Sequence, residues 1–290
     1  MLVTGNIDEL KALIRAHRAD GRKISLVPTM GYLHEGHLRL VDLAKERSDI
    51  VVMSIFVNPT QFGLKEDFQR YPRDIPRDLK LADGRGVHII FSPEVETMYP
   101  GGTPLSFVDI HRLTDSLCGA SRPGHFRGVL TVVAKLLHIV EPDIAVFGRK
   151  DIQQLVVIER MARELDFPVE IVGAPTVRER DGLAISSRNI YLSRAERAEA
   201  VHLYQALLKG RELIRGGERA ARRITSAMEK VLAGPATRID YLSAVNYLDL
   251  QPIEVLREKG IVALAAFVGS TRLIDNFIVE FTDGEPSFSI

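Results

Sequence analysis

Between residues 24 and 172 the sequence alternates short apolar runs with longer amphipathic stretches, and few architectures accommodate that pattern. The runs at 24–27, 50–57, 87–91, 144–147 and 169–172 are rich in Val and Ile and too short for helices, so each reads as a buried strand. The stretches at 37–47, 74–81, 130–140 and 151–165 space their apolar residues as helices do. A chain that passes through a helix between consecutive strands lays those strands parallel, with right-handed crossovers. The expected fold class is therefore α/β, a parallel sheet with helices on both faces.

After residue 189 the pattern changes. Residues 194–215 and 218–232 read as two amphipathic helices, and 239–248, 261–267 and 273–279 as strands with no helix between them. Gly269-Ser270 marks a hairpin turn between the last two. This predicts a smaller α+β domain at 190–290 following a larger one at 1–189.

Composition narrows the function classes. Lys plus Arg equals Asp plus Glu at 38 each, so no whole-molecule field draws the chain to nucleic acid or to an acidic membrane. No window approaches the roughly 20 apolar residues of a membrane span, and the N-terminus has no signal-peptide pattern. The single cysteine, Cys118, excludes an intramolecular disulfide and a multi-cysteine metal site, which suits a cytoplasmic location.

Four segments at predicted strand ends carry chemistry. Pro28-Thr-Met-Gly-Tyr-Leu-His-Glu-Gly-His37 is a strand, a loop and a helix start. The free N–H groups of that first turn favour a phosphate, and His34 and His37 can donate to charge developing on it. The same two histidines also look like half of a zinc site, though nothing nearby completes one. Ser54-Ile-Phe-Val-Asn-Pro-Thr-Gln-Phe-Gly63 places the amides of Asn58 and Gln61 where ligands of open α/β sheets bind. Phe147-Gly-Arg-Lys-Asp-Ile-Gln-Gln154 offers Lys150 to phosphate and Asp151 either as a helix cap or to a ribose hydroxyl. In Pro175-Thr-Val-Arg-Glu-Arg-Asp-Gly-Leu-Ala-Ile-Ser-Ser-Arg-Asn189, two hydroxyls and a guanidinium form a phosphate clamp, or else a polar linker between domains.

His34-Glu-Gly-His37 resembles the HxGH signature of the nucleotidyltransferase superfamily. Taken in order, PTMG-x-LHEGH, SIFVNP-x-QF, Tyr71-Pro72-Arg73, FG-x-KD-x-QQ and DGLA-x-SSRN resemble the pantothenate synthetase family, as does Arg122-Pro-Gly-His-Phe-Arg-Gly128. Three positions depart from the family pattern. Arg149 stands in place of Glu, Tyr32 in place of a small residue, and Ile185 in place of Met or Leu.

The resemblance implies a Rossmann-like first domain and an ATP-dependent ligase joining pantoate to β-alanine through a pantoyl adenylate. It assigns His34, His37, Lys150 and Arg188 to catalysis, with His37 as proton donor. It places Met30, Gly31, Tyr32, Leu33, His34, Glu35, Gly36, His37, Gly148, Arg149, Lys150, Asp151, Val177, Ile185, Ser186, Ser187 and Arg188 around ATP. Gln61, Gln154 and Asn58 fall to the substrates. Asp78, in the helix after Tyr71-Pro72-Arg73, is a candidate for the Mg²⁺ that accompanies ATP, or else a plain surface-helix carboxylate. The resemblance also implies a homodimer, with the second domain covering the site. The competing expectations are a different nucleotidyltransferase that shares only HxGH, and a non-catalytic nucleotide sensor.

Overall fold

The computed structural model describes residues 1–63 and 66–289. The chain divides into two compact units. The first comprises Met1–His111, Arg122–Gly148 and Val157–Ala174; the second comprises Arg112–Ser121, Arg149–Val156 and Pro175–Ile290. Two segments lying early in the chain thus belong with its C-terminal part, an exchange that periodicity does not signal.

The first unit holds a six-stranded parallel sheet of β1 (Leu2–Thr4), β2 (Ile24–Thr29), β3 (Ile50–Ile55), β4 (Ile89–Phe91), β5 (Ile144–Gly148) and β6 (Glu170–Ala174). Their order across the sheet is β1-β4-β3-β2-β5-β6, and every pairing is parallel. Strand order reverses between β2 and β5, so the carboxyl ends of those two strands mark the crevice where such sheets bind ligands. Val27, Met53, Ile90 and Val146 pack on one face against Leu40, Val41 and Ala44 of the helix Glu35–Lys45. Leu26, Val52, Ile89 and Ala145 alternate to the other face and are equally buried. Burial on both faces explains why these strands read as continuous apolar runs rather than as alternating ones.

The second unit holds a four-stranded antiparallel sheet in the order β10-β9-β8-β7. Its strands are β7 (Thr237–Asn246), β8 (Gly260–Val268), β9 (Thr271–Thr282) and β10 (Glu285–Ser289). Val262, Leu264, Phe277 and Val279 of this sheet share a core with Leu203, Leu207, Ile224 and Met228 from the helices His202–Arg215 and Ala221–Leu232. The turn at Gly269 lies between β8 and β9 as expected.

Several elements differ from expectation, and the helices Ile7–Ala19, Val95–Met98 and Leu117–Ser121 were not anticipated. The helix predicted over 194–215 is two, Arg194–Ala200 and His202–Arg215, interrupted at Val201. The one-residue break leaves the apolar spacing nearly in phase, and Ala200 and Leu203 are both buried. The strands β1 and β10 had no apolar run to announce them. Both lie at sheet edges, where Leu2 and Val3 are exposed and Pro286 is tolerated.

Candidate active site

β2 ends at Thr29, and the loop that follows enters the helix Glu35–Lys45 with His34 as its extended N-cap residue. The carbonyl of His34 accepts from the N–H groups of His37 at 2.8 Å and Leu38 at 3.1 Å. The N–H groups of Glu35 and Gly36 precede those bonds and are donors in the helix's positive first turn. Three residues apart on a helix start, the two histidines meet: their rings stack with centroids 4.0 Å apart and planes at 22°. Gly36 makes this possible. A Cβ there would stand 2.9 Å from both Cε1 and Nδ1 of His34. The missing side chain thus serves the histidine ring itself.

At the end of β3, Asn58 caps the 3₁₀ turn Pro59–Gln61. It was expected at the substrate, but all of its bonding capacity is engaged internally and it is 1% exposed. Its Nδ2 donates to Gln61 Oε1 at 3.0 Å and to the Gly128 carbonyl at 3.2 Å. Its Oδ1 accepts from the Tyr99 hydroxyl at 2.8 Å and the Thr60 hydroxyl at 2.9 Å. Burial raises the Tyr99 phenol above its usual range, which keeps it a donor. Asn58 therefore orients Gln61: with Oε1 held, the amide presents Nε2, whose partner is the weakly accepting Met30 sulfur at 3.2 Å. The frame continues outward. Gln61 O lies 2.8 Å from His125 Nδ1, His125 Nε2 accepts from Arg122 at 2.9 Å, and Arg122 forks onto Glu66 at 2.6 and 2.7 Å.

Asp78 was expected either as a ligand of Mg²⁺ or as a plain carboxylate on a helix surface. It is instead fully buried, and its two oxygens accept the N–H groups of Tyr32 and Leu33. Among the described residues no group of three His, Cys, Asp or Glu side chains is placed to hold a metal ion. Those residues thus form no ready cage for Mg²⁺, and they supply no ligands to complete the half zinc site read in the histidines.

In the second unit, Arg149–Asp151 form a 3₁₀ turn leading into the helix Ile152–Glu164. Lys150 is half-buried, without a salt bridge among the described residues. The adjacent glutamines part company: Gln153 is buried, accepting from Cys118 N at 2.9 Å and donating to the carbonyls of Leu113 and Ser116 at 2.9 Å each. Gln154 is half-buried, with its amide engaged by no described residue. Residues 177–185 fold back as a hairpin, in which Ile185 N donates to Val177 O at 3.0 Å and Arg178 bridges Ala184. Ser186 then caps the 3₁₀ turn Ser187–Tyr191 through Arg188 N at 3.3 Å. This segment is a hydrogen-bonded structure rather than a loose linker.

The pantoate-beta-alanine ligase family model matches residues 2–278. The chain belongs to the pantoate–β-alanine ligase family. It is 55% identical over 278 residues to the pantothenate synthetase of Moorella thermoacetica, covering 96% of this chain and 98% of that one. With the enzyme of Heliobacterium modesticaldum it shares 54% over 281 residues, 97% and 100% of the two chains. Among solved structures, pantothenate synthetase from Thermus thermophilus superposes with a TM-score of 0.90 at 47% identity, covering 95% and 98%. The pantoate–β-alanine ligase from Francisella tularensis, complexed with β-γ ATP and β-alanine, gives a TM-score of 0.79 at 32% identity, covering 96% and 97%.

Two residues of this family member escaped the sequence reading. Asp275 and Asn276 are neighbours on β9, both about 2% exposed. Successive strand residues point to opposite faces. Asp275 takes the Arg178 guanidinium at 2.6 and 2.9 Å, and Asn276 Nδ2 donates to the carbonyls of Arg149 and Lys150 at 3.0 and 2.9 Å. One strand thus anchors both the Lys150 turn and the 177–185 hairpin. The available signal was a pair of polar residues inside an otherwise apolar strand, Leu273-Ile-Asp-Asn-Phe-Ile-Val279.

Proposed function

We propose how this ligase divides its work among its residues. The activity is ATP-dependent joining of pantoate to β-alanine. In the first step a pantoate carboxylate oxygen attacks the α-phosphorus of ATP, pyrophosphate leaves, and pantoyl adenylate forms. In the second the β-alanine amine attacks the acyl carbon, AMP leaves, and the nitrogen loses a proton as the amide forms.

The observation that carries this reading is the His34–His37 stack at the opening of the helix Glu35–Lys45. Two imidazoles and two N–H groups together favour charge gathering on a phosphoryl oxygen, with His37 as proton donor. Lys150 adds a point charge and Arg188 a planar fork. The Gln61 amide, oriented by Asn58, offers Nε2 to an oxygen of pantoate, which replaces the weak Met30 sulfur contact. Gln154 holds pantoate with its unengaged amide. Mg²⁺ bound with ATP would offset phosphate charge. The same reading makes the enzyme a cytoplasmic homodimer, in keeping with the lone thiol Cys118. No helix among the described residues is long and apolar enough to cross a membrane.

The test is a single-turnover experiment without β-alanine. Pantoate and ATP should release pyrophosphate, with AMP accumulating only after the amine is added. His37→Ala should slow pyrophosphate release by about 10²–10³-fold while the protein stays folded. Release of ADP and phosphate overturns the adenylate route, and a near-native rate overturns the role of His37.

A further inference from the structure

Asp78 lies in the first turn of the helix Ile75–Arg85, and its carboxylate is directed at the loop that carries the catalytic histidines. Oδ2 accepts from the Tyr32 N–H at 2.6 Å, and Oδ1 accepts from the Leu33 N–H at 2.7 Å. Both bonds are charge-assisted and short. The loop runs from the end of a strand to a helix N-cap, so these two N–H groups lie outside the ladder of either element.

The loop conformation calls for such an anchor. Gly31 at φ 81° and Tyr32 at φ 50° are both left-handed, a conformation a tyrosine holds only where its surroundings enforce it. A Cβ on Gly31 would stand 2.9 Å from Asp78 Oδ2 and 2.9 Å from Ile55 Cγ2, so the turn and the carboxylate fit each other closely. The preceding helix residue completes the grip. The Arg77 guanidinium lies over the Tyr32 ring at 5.0 Å and 3.6 Å from Asp78 Oδ1. Leu33, next in the loop, is fully buried in the core under the sheet. From there one residue leads to His34. Burial raises the Asp78 carboxyl above the usual aspartate range, while the two N–H bonds pull it down.

We infer that Asp78 is a positioning residue for adenylation: it clamps the 31–33 turn so that His34 and His37 stand in register at the helix start. It acts through the loop backbone and touches neither substrate. A carboxylate whose two oxygens each hold a loop N–H is committed to that geometry, which also accounts for its position inside the fold rather than on a solvent face. The inference rests on the histidine reading above for its kinetic consequence only.

Hydrogen exchange of the intact enzyme tests the clamp directly. In the wild type the Tyr32 and Leu33 amides should exchange as slowly as those of β2, although they lie in a loop. Asp78→Asn keeps the shape but swaps one acceptor for an NH₂ group, and should release that protection while leaving β2 and β3 protected. The adenylation kcat should fall by up to about 10²-fold, the scale for a misplacement near 1 Å, with KM for pantoate unchanged. Added Mg²⁺ should not restore it. Asp78→Glu, which keeps the charge but moves the oxygens, should show the same defect. Fast exchange at Tyr32 and Leu33 in the wild type overturns the clamp even if no variant folds. So does retained protection in Asp78→Asn, or recovery of its rate at high Mg²⁺. His37→Ala separates the two readings: it should slow adenylation with the Tyr32 and Leu33 amides still protected. A harmless His37→Ala beside a deprotected Asp78→Asn sinks the histidine role and leaves the clamp standing.

Discussion

The segments that follow β3 and β5 each carry two side-chain amides, and the two pairs are built differently. After β3, Asn58 bonds directly to Gln61, so the amide that frames the turn also chooses which end of its partner faces outward. After β5, Gln153 and Gln154 are adjacent in sequence but point apart around a helix. Gln153 ties down Leu113, Ser116 and Cys118, and among the described residues its amide makes no hydrogen bond to that of Gln154. In one region the framing amide and its neighbour are a single coupled unit; in the other the two amides share no bond among the described residues. A motif letter therefore does not announce its job. Asn58 and Gln153 hold the fold, while Gln61 and Gln154 are the pair proposed to meet pantoate.

The comparison can be broken by mutation. The largest effect is expected from Asn58→Ala, which leaves a buried Tyr99 hydroxyl, the Gly128 carbonyl and Gln61 Oε1 without their partner. Each buried group so exposed costs about 1–3 kcal/mol, so Tm should drop and pantoate binding to the folded enzyme, read by calorimetry, should weaken as well. Loss of stability alone would uncouple Asn58 from Gln61. Gln153→Ala should come next, lowering stability by about 1–3 kcal/mol or more through the unpaired Cys118 N–H and two carbonyls, with pantoate affinity little changed. Gln154→Ala should do the reverse, changing stability by less than roughly 0.5 kcal/mol while weakening pantoate. If Gln153→Ala weakens pantoate as much as Gln154→Ala does, the two jobs are not separate. The smallest and sharpest reading is a pair of double-mutant cycles on pantoate affinity. Asn58 with Gln61 should show a coupling of about 0.5–3 kcal/mol, and Gln153 with Gln154 should be additive within about 0.3–0.5 kcal/mol.

Two buried side chains that bond loop or turn backbone belong to the same theme. Asp78 reaches Tyr32 and Leu33 from a helix in a different part of the first unit, and Asn276 reaches Arg149 and Lys150 from a distant strand. Neither looks like a backbone anchor in sequence: Asp78 reads as a metal candidate or a surface carboxylate, and Asn276 carries no site signal. Asp78 follows an Arg at the polar start of a helix, and Asn276 interrupts a strand.

The sequence by itself determined the parallel sheet, through apolar runs buried on both faces, and the family, through contiguous motifs at strand ends. It also put the two histidines three residues apart at a helix start, but their ring stack beside Gly36 appeared only in the structure. The sheet, the motifs and the histidine spacing are local properties, carried by backbone periodicity and near-neighbour geometry. Only the tertiary structure decided which amide of each pair is engaged and that Asp78 lies inside rather than outside. Only the tertiary structure, again, grouped Arg112–Ser121 and Arg149–Val156 with the C-terminal part of the chain. Those outcomes depend on which donor meets which acceptor across tens to more than a hundred residues. A buried polar group takes whatever partner the packed chain brings to it, and no local pattern encodes that meeting.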